Sequence, residues 1–117
     1  MNAVILACSN LFFSQKLSSQ LKGLGYPVIV ENSLSAIQEK SKDGIFAVIV
    51  DLAVRGTDAL KLINGIKSDS RTAGVPVIGF CGHADMDRMD AARAAGCDLV
   101  TTNGAISSNL AGILEKI

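Results

Sequence analysis

Val48-Ile49-Val50-Asp51-Leu52 decides how this chain is read. A short run of β-branched residues with no polar alternation reads as a strand buried on both faces, and this one ends in a carboxylate. An earlier run, Ala3-Val4-Ile5-Leu6-Ala7-Cys8, has the same character but is followed by Ser9-Asn10. The first strand therefore brings hydroxyl and amide groups to its end where the third brings an acid.

Outward from these two runs the chain alternates. Pro27-Val28-Ile29-Val30-Glu31 is a second strand, Ile45 to Val50 the body of the third, Val75-Pro76-Val77-Ile78-Gly79-Phe80 a fourth and Leu99-Val100-Thr101-Thr102 a fifth. The Pro of the fourth suits a strand start. Helical stretches separate them. Residues 10–24 place Phe13, Leu17, Leu21 and Leu24 on one stripe, with Asn10 as the cap and Gly25 at the end. Residues 34–42 follow Asn32 or Ser33 as cap, and Ala36, Ile37 and Lys40 share a face of weak amphipathicity. Residues 58–68 turn Ala59, Leu62, Ile63 and Ile66 inward. Residues 85–95 open with Asp85, Asp87 and Asp90, which suit the positive end of a helix. Residues 106–116 close the chain with Leu110, Ile113, Leu114 and Ile117 at helical spacing.

Strands buried on both faces form a parallel sheet covered by helices, and right-handed crossovers make it a doubly wound α/β sandwich. Sites in such folds lie at the carboxyl ends of the strands. That rule selects Ser9, Asn10, Asp51, Cys81, Gly82, His83, Thr102 and Asn103.

Composition narrows the class. The 117 residues suit one domain, spanning 1–117, and a hydrophobic content of 49% excludes a disordered chain. Eleven basic residues balance eleven acidic ones, which gives no support to nucleic-acid or membrane-surface binding. Cys8, Cys81 and Cys97 are three, at no metal-motif spacing, and read as reduced and mostly buried thiols of a cytoplasmic protein. Ile5-Leu6-Ala7-Cys8 faintly resembles a lipoprotein cleavage box. No basic residue precedes it and the apolar run is only six residues long, so no signal peptide is expected. No segment reaches the length of a membrane span.

The chain resembles the receiver (chemotaxis response-regulator-like) family over essentially its whole length. The resemblance rests on Ile45 through Leu60, on Val75-Pro76-Val77-Ile78 and on Ala94-Ala95-Gly96-Cys97-Asp98. It implies a flavodoxin-like (βα)5 sandwich with strand order 2-1-3-4-5. It implies that Asp51 stands where family members accept a phosphoryl group from a histidine kinase. It also shows departures. Ser9 and Asn10 stand where two acids would hold magnesium. Cys81 stands at the Thr or Ser position, Asn103 at the Lys position, Val100 at the position of the aromatic readout, and Arg55 replaces a common proline.

Magnesium favours hard oxygen ligands, usually carboxylates with waters and phosphate. Phosphoryl transfer depends on charge stabilisation by metal and cation, and each lost group removes on the order of a few kcal/mol of it. Weak or absent magnesium binding, no other cofactor and no enzymatic activity are therefore expected. The resulting expectation is a pseudo-receiver acting through phosphorylation-independent contact with a protein in a bacterial two-component-type pathway: a histidine kinase, another signalling protein, or itself as a homodimer. Two alternatives stay open. One is an atypical response regulator phosphorylated at Asp51, against which stands a strand-end aspartate kept for hydrogen bonds to nearby backbone N–H groups. Arg55 could compensate in part if its side chain folds back.

The other alternative is a metal or redox sensor at the sheet edge, using Cys8, Cys81 and His83 near Asp51. With the third strand between the first and fourth, Cys8 and Cys81 stand roughly 10 Å apart, too far for a disulfide. His83 could also titrate as a switch. Met86, Met89 and Ala92 read as a core-facing stripe. The glycines form no phosphate-binding loop after the first strand, and there is no Gly-x-Ser-x-Gly elbow.

Overall fold

The computed structural model describes residues 2–82 and 85–117. In chain order the elements are β1 (Ala3–Ala7), α1 (Leu11–Gly23), β2 (Val28–Val30), α2 (Leu34–Lys40), β3 (Ile45–Asp51), α3 (Ala59–Ser68), β4 (Val77–Cys81), α4 (Met86–Ala95), β5 (Leu99–Thr102), α5 (Asn103–Ser108) and α6 (Leu110–Leu114). A single 3₁₀ turn, Ser41–Asp43, joins α2 to β3. The strands form one sheet in the order β2-β1-β3-β4-β5, every pairing parallel.

Alternation along the strands divides the core in two, because successive side chains of a strand point to opposite faces. Ile5, Ala7, Val48, Val50, Val77 and Cys81 pack under α2, α3 and α4, against Ile37, Leu62, Ile63, Ile66, Met89 and Ala92. Val4, Leu6, Cys8, Ile49, Ile78 and Phe80 pack on the other side, against Leu17 and Leu21 of α1 and Ile106, Leu110, Ile113 and Leu114 of α5 and α6. Phe13 stacks on Phe80 with ring centroids 5.3 Å apart. Both faces are buried, which is why the strands read as continuous apolar runs.

The caps follow the side chains available. Asn10 Oδ1 accepts from Phe13 N at 3.0 Å, Ser33 Oγ from Ala36 N at 3.2 Å and Asp85 Oδ1 from Arg88 N at 3.1 Å. Of Asn32 and Ser33, the serine is the cap of α2. Gly96 ends α4 with φ 119°, a left-handed conformation for which glycine carries no Cβ penalty.

Three expectations change. The closing helix does not run from 106 to 116. It begins at Asn103, because Thr102 Oγ1 accepts from Ala105 N and caps it there. It then breaks at Asn109, whose φ −141° and ψ 46° leave the helical region. The polar run Ser107-Ser108-Asn109 favours such a break, since Ser108 Oγ donates to Gly104 O at 2.8 Å and short polar side chains compete with the helix for backbone groups. Met86 is no part of a core stripe: it is 59% exposed at the first position of α4, whereas Met89 and Ala92 are buried. Finally, Val75 and Pro76 precede β4 rather than open it, although Pro76 O still accepts from Val48 N at 2.9 Å.

Candidate functional site

The parallel registers fix what meets at the carboxyl edge of the sheet. Ala7 pairs with Val50, so the next residues, Cys8 and Asp51, end adjacent strands side by side. The Cys8 thiol donates to Asp51 Oδ2 across 3.6 Å, and Ala53 N donates to Asp51 Oδ1 at 2.9 Å. Both carboxylate oxygens of Asp51 thus have a protein donor. Burial pushes the Cys8 thiol up to about 11, with the negative charge of Asp51 adding to the rise. Cys8 is held as a neutral donor, not a nucleophile.

The two side chains that follow β1 are also engaged. Asn10 Oδ1 is taken by the α1 cap. Ser9 Oγ accepts from Arg55 N at 2.9 Å and ties the β1–α1 loop to the β3–α3 loop. Together Ser9, Asn10, Asp51, Ala53 and Arg55 line a polar cleft of about 320 Å³. Arg55 is exposed at its rim, and the ion pairs formed by the described residues do not include it. The side chain does not fold back into an ion pair with Asp51.

Among the described residues, the remaining positions singled out by the sequence do not line this cleft. Cys81 belongs to the α4-side core while Cys8 belongs to the α1-side core, so the two thiols sit on opposite faces of the sheet. Cys81 Sγ donates to Asp85 O across 3.9 Å, and burial raises its pKa. All three cysteines are free thiols. Burial pushes Cys97 furthest, to about 12. Asn103 is an exposed first residue of α5, and Val100 is half-buried in β5 beside Gly79. His83 lies outside the described residues.

The residues present do not fit a magnesium ion. A single carboxylate reaches the cleft, and the amide and hydroxyl oxygens beside it already accept backbone N–H groups. Among the described residues no group of three or more His, Cys, Asp or Glu side chains could hold a metal ion, and no helix is long and apolar enough to cross a membrane. The thiol–carboxylate contact between Cys8 and Asp51 was not foreseen from the sequence. The signal for it was there, because aligning the ends of the first and third strands puts these two residues together.

No family model matches the chain, and no curated protein matches its sequence. Its backbone is nevertheless shared with solved receiver domains. The chemotaxis protein CheY4 of Vibrio cholerae superposes with a TM-score of 0.85 at 14% identity, covering 100% of this chain and 98% of its own. The receiver domain of a sensor histidine kinase from Pseudomonas aeruginosa PAO1, which has a magnesium ion coordinated in its active-site cleft, gives 0.84 at 17%, covering 98% and 95%. The receiver domain of NtrX from Brucella abortus gives 0.83 at 16%, covering 97% and 95%. The chain has the flavodoxin-like receiver fold, with the order 2-1-3-4-5.

Proposed function

We propose that this protein, built on the receiver fold of two-component response regulators, signals by binding a protein without being phosphorylated. One observation carries the reading: the groups at the two acid positions are spent on structure. Asn10 caps α1 and Ser9 staples two loops, so Asp51 stands in its cleft without a second carboxylate. Each oxygen of Asp51 accepts one donor of the chain, Ala53 N or the Cys8 thiol. No lysine lines this cleft, so among its lining residues the exposed Arg55 is the one cation that charge developing on a transferred phosphoryl group would meet. No catalytic step is assigned to the chain, and magnesium is expected to bind weakly or not at all. The partner class is a histidine kinase, another signalling protein or a second copy of this chain, met in the cytoplasm.

The position of Asp51 favours a second reading, a slow phosphoacceptor, because the residue does end β3 beside a cleft open to solvent. Incubation with magnesium and a small phosphodonor such as acetyl phosphate, followed by intact-mass measurement, separates the two. The first reading expects no mass gain of one phosphoryl group. A stoichiometric gain that Asp51→Asn abolishes overturns it.

A further inference from the structure

Two surfaces at the carboxyl edge of the sheet expose apolar side chains that the fold does not use. On the α1 layer, Leu11 and Phe12 are 71% and 80% exposed. Lys16 lies one turn further on, α1 contains no acidic residue, and Arg55 is held nearby through its N–H to Ser9. On the opposite layer a groove of about 430 Å³ runs between the starts of α3 and α4, floored by Leu52 and Ala59. Leu60 at its wall and Met86 close by are 38% and 59% exposed. Asp58, Asp85 and Asp87 rim the groove, with Arg88. Arg88 is paired with Asp85 at 3.2 Å, whereas the ion pairs of the described residues include none of Lys16, Arg55, Asp58 and Asp87.

We infer that these surfaces are the two halves of one interface between copies of this chain: Phe12 of one protomer enters the α3–α4 groove of the other, with Lys16 and Arg55 facing Asp58 and Asp87. An apolar projection flanked by cations is complementary to an apolar groove flanked by acids. The geometry closes. The surfaces lie at the same sheet edge but on opposite layers, so a two-fold axis in that edge, parallel to the strand order, exchanges the layers. Both contacts then form at once and the assembly stops at a dimer. A formal net charge of zero leaves no long-range repulsion between copies. The cleft around Asp51 is enclosed between the protomers. This inference rests on the phosphorylation-independent reading above and names its partner as a second copy.

Sedimentation of the full chain over a concentration series, with and without magnesium and beryllofluoride, tests it, with far-UV circular dichroism confirming that each variant is folded. The expected result is a dimer that needs no beryllofluoride and whose Kd rises by about tenfold or more in Phe12→Glu. Lys16→Glu/Arg55→Glu and Asp87→Lys should each weaken the dimer, and mixing these two variants should restore it. A dimer indifferent to Phe12→Glu overturns this interface. A monomer at every concentration overturns self-association while leaving a different protein as the partner. A dimer formed only with beryllofluoride overturns the reading beneath it.

Discussion

Asp51 is the residue on which the account turns, and its neighbours say what it does. A carboxylate whose oxygens accept from Ala53 N and the Cys8 thiol is held in place at the end of β3. Asp51→Asn keeps an acceptor for Ala53 N, so its stability cost should stay within about 1 kcal/mol in urea unfolding, and partner or self-association should be unchanged. A large loss of association in this variant would speak for a role of the charge itself. Cys8 gives a pH signature. Its thiol keeps its proton to about 11 in the folded chain, against 9.0 as the ordinary value. Below pH 9.0 its contribution is fully present. As pH rises from there toward 11 the unfolded chain releases the proton first, so stability falls. Cys8→Ala should flatten part of that fall in a urea series across the window, while Cys81 and Cys97, also raised by burial, keep the rest. Identical slopes in the two proteins would contradict the burial of Cys8.

Caps and close packing set the elements. Asp58 Oδ1 accepts from both Leu60 N and Lys61 N at the start of α3, and Asp58→Ala should cost about 1 kcal/mol, read from the urea midpoint. In β4, a Cβ on Gly79 would lie 3.0 Å from Cys97 Sγ and 3.1 Å from Leu52 Cδ2. Gly79→Val should therefore destabilise by about 1–3 kcal/mol through overpacking, and an unchanged thermal midpoint would refute that tight contact. The five strands and the first four helices were legible because the two-sided burial of a parallel sheet writes unbroken apolar runs, and because Asn10, Ser33 and Asp85 are strong caps. The break between α5 and α6 was not. Leu110, Ile113 and Leu114 keep helical spacing across it, and spacing alone cannot reveal that Asn109 leaves the helical region. Met86 was misread for a related reason: its spacing from Met89 suggested one face, but at the first turn of α4 that face has already left the core.

At the scale of the molecule, identities of 14–20% with solved receiver domains coexist with near-complete structural overlap. Such a fold needs the pattern of apolar strands and half-apolar helices, not particular residues. The site needs particular residues, and there the sequence was informative by substitution: Ser9, Asn10, Cys81 and Asn103 are individually ordinary, and only their common location at one sheet edge gives them meaning. The sequence could not say which of them meet. The structure gathers Ser9, Asn10, Asp51 and Arg55 in one cleft, and sends Cys81 to the opposite face. The most direct test of a receiver fold signalling without phosphorylation is a backbone-amide NMR titration with magnesium and beryllofluoride, which mimics the aspartyl phosphate. The account predicts no shifts at Ser9, Asp51 or Cys81. Saturable shifts spreading from Asp51 toward Cys81 and Asn103 would contradict it.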